Sequence, residues 1–458
     1  MQAVALLPLI AGLIWLAMRS YREAFLDIYL FSLLLLPAWC RYAIPGLPDP
    51  TFCEAAILPV AGAFLLKHRG GWPFSMMDLL VFSMTGLICY SEYTNAGFND
   101  AQNLMFDMLA SGVFPYILGK GIVNSQEARV RFMRRYVGYL AVVVGFFFYE
   151  FRFWFNPYRK MFDPFFPGQG WITTERFGLA RCAGPFSHAL LAGAIFLIGL
   201  FLQLWLHRAG AWEPYFKRLR HPMLTKARVM TAILSLGLLM TLARGPQIGA
   251  CLAGVFLWIG AGKRPKTRLL TAFAALVLVG VPIAIQGYNY ASVGRAHALT
   301  DSQETAAYRK ELIDHYMDVA LQHAALGWGR NGWPKDAGMP SIDNYYLLLS
   351  LMHGVIVTAL FIAILLAITI RLVRDGIRRQ RARGAMPSLS FTLAGVFAGL
   401  LFTWFTVYLG ESAMPIFFLL VGVAERYLND GGDGQLALAG DVIKIEAAPA
   451  PRFPVVLA

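Results

Sequence analysis

Apolar residues run in long blocks along this chain, separated by short basic or turn-rich segments, and most blocks approach the length of a membrane-crossing helix. A crossing takes roughly 20 mostly apolar residues. The pattern predicts spans near 2–18, 24–40, 54–66, 77–91, 105–119, 137–151, 186–206, 229–243, 247–262, 269–287, 344–370, 388–409 and 415–426. The expected fold is an all-α polytopic membrane protein, a bundle of about 12–13 transmembrane helices. Residues 1–426 form that bundle together with two polar loops, 152–184 and 288–343. Residues 427–458, rich in Gly, Ala and Pro, read as a disordered cytoplasmic tail.

Two features of the pattern lie outside the spans. The stretch from Arg152 to Gly184 is aromatic and proline-rich, which suits the headgroup level of a bilayer. The stretch from Tyr288 to Asn344 contains an amphipathic helix. In it Tyr308, Leu312, Tyr316, Val319, His323 and Leu326 recur at helical spacing, with Asp301 and Glu304 in the arrangement of a capping box. Arg309 heads an adjoining line with Ile313, Tyr316 and Ala320. This second loop should stand over the bundle as a lid.

Composition fits that reading. The chain has 458 residues, 57% of them hydrophobic and 15% charged, well below the share of charged residues in soluble domains. A net charge of +13 would suggest nucleic acid in a soluble protein. Here most of the 40 lysines and arginines fall in alternate loops, which makes the charge a topology signal. The basic loops mark the cytoplasmic side, with anionic membrane lipids as their partner and no nucleic acid. The amino terminus is then outside, the tail inside, and the first span is retained. Both polar loops face away from the cytoplasm.

Cys40, Cys53, Cys89, Cys182 and Cys251 show no metal-ligand spacing. Cys40 and Cys53 flank the first outer loop, where they could pair or be buried as free thiols. A literal GxGxxG at Gly327, Gly329 and Gly332 follows no strand, so it reads as a turn and not as a dinucleotide site.

Three arginines on the outer side could grip an anion. Arg181 precedes a span, Arg244 sits in the very tight turn "LARGPQIG", and Arg309 lies on the lid helix. Guanidinium is a planar fork of donors suited to phosphate oxygens and keeps its charge. For each, the plain alternative is a side chain reaching to lipid phosphate or a local carboxylate. His188 could face the same mouth. His297, His315 and His323 lie in or near the lid without metal-site spacing, and His353 falls inside a span.

Three pieces in order, "RCAGPFSHALLAG", "LARGPQIG" and "YRKELIDHYMDVALQHAALGWGRNGW…DNYYLLLSLMHGVI", resemble the bacterial O-antigen ligase and O-antigen or exopolysaccharide polymerase superfamily. The resemblance in layout covers roughly residues 100–425. It implies a membrane glycosyltransferase of the bacterial inner membrane, working on the periplasmic face without a metal or other cofactor. It also implies a polyprenyl diphosphate-linked glycan donor, a glycan or glycolipid acceptor, and other polysaccharide assembly proteins as candidate partners. The family's key arginines map onto Arg244 and Arg309. Its usual histidine before an asparagine falls on Asp343 beside Asn344, a departure that favours a polymerase over a ligase.

Asp343 is then the candidate base, positioned by Asn344 and Tyr345, and it could equally cap the following helix. Trp328, with Trp333 and Tyr346 nearby, could stack on sugar faces or anchor at the interface. A transporter or flippase of lipid-linked glycans is the alternative reading. It would place ionisable groups near mid-membrane, where the predicted spans have almost none. A non-enzymatic scaffold docking partners on its basic loops is a third.

Overall fold

The computed structural model describes residues 2–44, 46–67, 72–216, 221, 223–339, 341–382, 389–410 and 412–430. A helix falls in each predicted span, from Gln2–Met18 to Ala413–Asn429, although those in 24–40 and 388–409 end at Leu35 and Thr403. Four of them, Gln126–Phe153, Ala189–Arg208, Pro265–Ala291 and Val355–Arg379, are long and apolar enough to cross a membrane by length and composition. The chain is an all-α polytopic membrane protein whose described strands form a single two-stranded hairpin. The expected span 344–370 is divided: Tyr345–His353 ends at Gly354, whose φ of 89° no longer fits a helix, and Val355–Ala382 resumes beyond it. The last helix continues to Asn429, past the expected start of the tail at 427. Residues 431–458 of that tail lie outside the described residues.

Lipid gives helices no hydrophobic reason to associate, so close backbone approach supplies the packing energy. Helix Arg244–Gly260 lies along Leu389–Thr403 in that way. A β-carbon on Gly249 would stand 2.7 Å from the Gly399 carbonyl oxygen, so any larger residue would force the pair apart. This contact fixes the depth and direction of the helix that starts with Arg244.

Helix Pro265–Ala291 behaves differently. It packs few residues against the chain, with Leu278 75% and Phe273 62% exposed, as a helix facing hydrocarbon should. At its end it meets the lid helix Asp301–Gln322. The lid buries Leu312 and Tyr316, from the face expected from the sequence, against Leu347 and Leu351, together with Ala320 of the adjoining line.

The start of the lid helix needs a correction. Its cap is Thr300, whose hydroxyl accepts from the Gln303 amide, while the Gln303 side chain accepts from the Leu299 amide. Asp301 is the first helical residue. There its carboxylate favours the positive helix end without capping it.

Cys40 and Cys53 form no disulfide with each other. Gly327 and Gly329 have φ of 63° and 77°, so the glycine run is a turn, and it docks on the break at Gly354. There Trp328 N and Gly329 N donate to the Leu351 and Met352 carbonyls, and Val355 N donates to Ala324.

Candidate functional site

The turn carrying Arg244 has three residues between helices. Thr241 Oγ1 donates to the Leu238 carbonyl and accepts from the Ala243 amide, and Leu242 takes a φ of 47°. That left-handed value costs a branched residue about 1–2 kcal/mol. It turns the Leu242 carbonyl outward, where Arg176 Nη1 donates to it at 2.8 Å. Arg244 then opens its helix, exposed, with Nη2 donating to Ser302 Oγ at 3.3 Å and the guanidinium carbon 5.0 Å from the Phe177 ring centre.

The loop before helix Ala189–Arg208 supplies the next cations. Its hairpin pairs Thr174–Arg176 with Leu179–Arg181 around a two-residue turn, Phe177 and Gly178, both at positive φ. Such a turn matches the natural twist of paired strands. The buried carboxylate of Glu150 holds the base of this loop, accepting from Ala183 N, Gly184 N and Thr173 Oγ1 at 3.1, 2.9 and 3.0 Å. Arg181 is buried beside these contacts. Its Nε and Nη2 have no hydrogen-bond partner among the described residues, and neither does Nε of Arg309.

Field effects show which charges share a neighbourhood. Burial lowers Arg181 to about 10, Arg176 pushes the same way and Asp343 opposes. Burial also lowers Arg309, against Asp343 and with Arg244. Arg176 is lowered by burial, then by Arg244 and Arg309. All stay protonated at neutral pH. Arg181 and Arg309 therefore both feel Asp343, and Arg176 stands within reach of Arg181, Arg244 and Arg309, so guanidinium groups from three distant segments share one neighbourhood.

His188 belongs to the same neighbourhood. Burial and then Arg181 pull it down to about 4, with Asp343 opposing, so the ring is neutral near pH 7. Its Nδ1 accepts from the Leu190 amide at 3.0 Å, capping the helix, which places the ring proton on Nε2. Trp171 packs edge-on against it at 4.5 Å.

Of Asp343 and Asn344, the second caps the following helix, its side-chain oxygen accepting from Tyr346 N and Leu347 N. Asp343 is outside the cap, half-buried, and accepts from Ser341 Oγ at 2.7 Å. Tyr345 is buried against Phe361 and its amide donates to the Trp404 carbonyl, so it supports this corner from below. Trp328 lies apart. Its indole N–H donates to Val319 and its ring lies against His323, roughly 15 Å along the lid helix from Arg309 by helical rise.

Sequence reasoning missed Arg176 and the anchoring role of Glu150. The trace of Arg176 was faint: a glycine at the second position of a possible tight turn in "TERFGLAR", preceded by phenylalanine where Asn or Asp is the usual sign. Glu150 sits at the end of an apolar span, where nothing in the one-dimensional pattern announces three donors arriving from a later loop.

No curated protein matches the chain. Residues 229–362, the segment that contains Arg244 and Arg309 and carries Asp343 and Asn344 in its last third, match the family model described as O-Antigen ligase, which supports the resemblance to the O-antigen ligase and polymerase superfamily.

Proposed function

We propose that the protein is a metal-independent glycosyltransferase of the polymerase type. It joins polyprenyl diphosphate-linked glycan on the periplasmic face of the inner membrane. The observation that carries this reading is the set of unsatisfied guanidinium nitrogens on Arg181 and Arg309, buried among two further arginines. An unpartnered buried cation is costly, and a diphosphate with about two negative charges would satisfy several at once.

The chemistry follows from that charge. An acceptor hydroxyl oxygen attacks the anomeric carbon of the donor sugar and forms the new glycosidic bond. The bond from that carbon to the phosphate oxygen breaks, and its electron pair leaves with polyprenyl diphosphate. Negative charge grows on the leaving group, where Arg176, Arg181, Arg244 and Arg309 stabilise it in place of a divalent ion. The hydroxyl proton passes to Asp343, which is free for this because Asn344 holds the cap. His188, neutral, offers Nε2–H as a donor.

Purified protein in proteoliposomes, given labelled polyprenyl diphosphate glycan, should release polyprenyl diphosphate and form longer glycan with or without EDTA. Arg244→Ala and Arg309→Ala should stop this while the protein remains folded. Normal product from both variants refutes the reading. Movement of the lipid across the bilayer without diphosphate release would make the protein a flippase.

A further inference from the structure

The hairpin tip places an aromatic ring where physical chemistry would prefer glycine. Phe177 has a φ of 56°, strained for a side chain of its size, and the ring is 71% exposed, so core packing gives it no reason to be there. The hairpin is nevertheless held firmly. Arg176 Nη1 is bonded to the Leu242 carbonyl, and the Cys182 amide donates to Met240 at 3.1 Å, tying both ends to the helix turn that carries Arg244. The Arg244 guanidinium stands over the ring, 5.0 Å from its centre. An exposed, rigidly mounted aromatic face thus borders the anion site.

We infer that Phe177 is the platform on which the first sugar of the donor stacks, the hexopyranose bonded directly to the diphosphate. This rests on the proposed glycosyl transfer and adds the residue that reads the sugar. The C–H face of a pyranose is apolar and slightly positive, and it pairs with the negative face of an aromatic ring. The first sugar is the part of such a donor that must lie within one bond of the phosphate oxygens. A ring in contact with a phosphate-binding arginine is therefore at the distance where that sugar sits. The Arg244 guanidinium already draws on that ring face. Binding the diphosphate would turn that guanidinium toward oxygen and leave the ring face to the sugar.

The test compares binding of two lipids to the full-length protein in nanodiscs: polyprenyl diphosphate alone, and the same lipid bearing one glucose, galactose or N-acetylglucosamine. At least one sugar-bearing lipid should bind the unaltered protein more tightly than the bare lipid. Phe177→Leu, which keeps the apolar bulk, should remove that advantage, roughly threefold to tenfold, and leave the bare lipid's affinity nearly unchanged. Phe177→Tyr and Phe177→Trp should retain it. Phe177→Gly relieves the backbone strain, so it should fold at least as well and still lose the advantage. Equal weakening of both lipids by Phe177→Leu, or an advantage that survives in Phe177→Leu and Phe177→Gly, would overturn the inference and leave Phe177 as an anchor in the headgroup layer. Failure of the unaltered protein to bind the bare diphosphate lipid would instead remove the transferase reading and this inference with it.

Discussion

Two groups of cations, one remote from the lid and one beside it, are treated in opposite ways. Remote from the lid, Lys120 is 1% exposed and donates to Asp78 at 2.5 Å and to the Pro73 carbonyl at 2.8 Å, while Tyr116 and Trp72 complete the carboxylate's shell. Arg371 likewise forks onto the fully buried Glu425. Beside the lid, Arg176, Arg181, Arg244 and Arg309 form no ion pair among the described residues, and two of them leave buried nitrogens without partners. Apolar surroundings make a matched pair tolerable and an unmatched cation expensive. The remote pairs are complete as they stand; under the proposed function the lid cluster is completed by an anion.

Removing one partner of the remote pair should have the largest effect. Lys120→Ala leaves Asp78 with a buried charge and should cost about 3–5 kcal/mol of stability, seen as a lowered unfolding temperature in detergent. If that variant melts like the unaltered protein, the remote pair is not the structural element described here.

The lid cluster should respond in the reverse sense. Arg309→Met should cut glycosyl transfer by roughly 10²–10³-fold, the loss typical of removing one charge-stabilising donor, while the unfolding temperature holds or rises. A fall in stability with activity intact would erase the contrast between the two groups.

Filling the cluster should stabilise it. Inorganic pyrophosphate at about 100 times its Kd should add about 2.7 kcal/mol, and Arg181→Gln should need a higher concentration for the same shift. Pyrophosphate titrations read by thermal unfolding decide this, with Lys120→Ala expected to keep the ligand-induced shift.

The smallest effect concerns His188. Its folded value of about 4 lies below the ordinary 6.5, so its contribution to stability is complete above pH 6.5 and is lost as the pH falls toward 4. His188→Asn keeps a capping side chain and removes the titrating group. Its unfolding temperature should therefore fall less between pH 6.5 and pH 4 than that of the unaltered protein. An identical decline in both would assign the pH dependence elsewhere.

How far the sequence reaches is visible in particular residues. Leu312 and Tyr316 on the lid face could be placed from spacing, because a helix repeats with a period that apolar residues reveal, whereas Ala320 was assigned to the adjoining line. Arg244 could be placed because a turn between two spans leaves a side chain few directions. Whether Asp343 or Asn344 caps the next helix could not be read, since both types cap well and a one-residue shift decides it. Arg176 was hidden because its meaning depends on the Leu242 carbonyl, 66 positions away.

By itself the sequence determined the membrane-spanning helices, the amphipathic lid and the arginines that a disfavoured loop position made conspicuous. Those depend on local periodicity and on charge order, both written along one dimension. The tertiary structure decided which charges meet, which nitrogens remain without partners, and that a strained phenylalanine stands beside Arg244. These are properties of distance between remote segments, set by how closely helices such as Arg244–Gly260 and Leu389–Thr403 can approach.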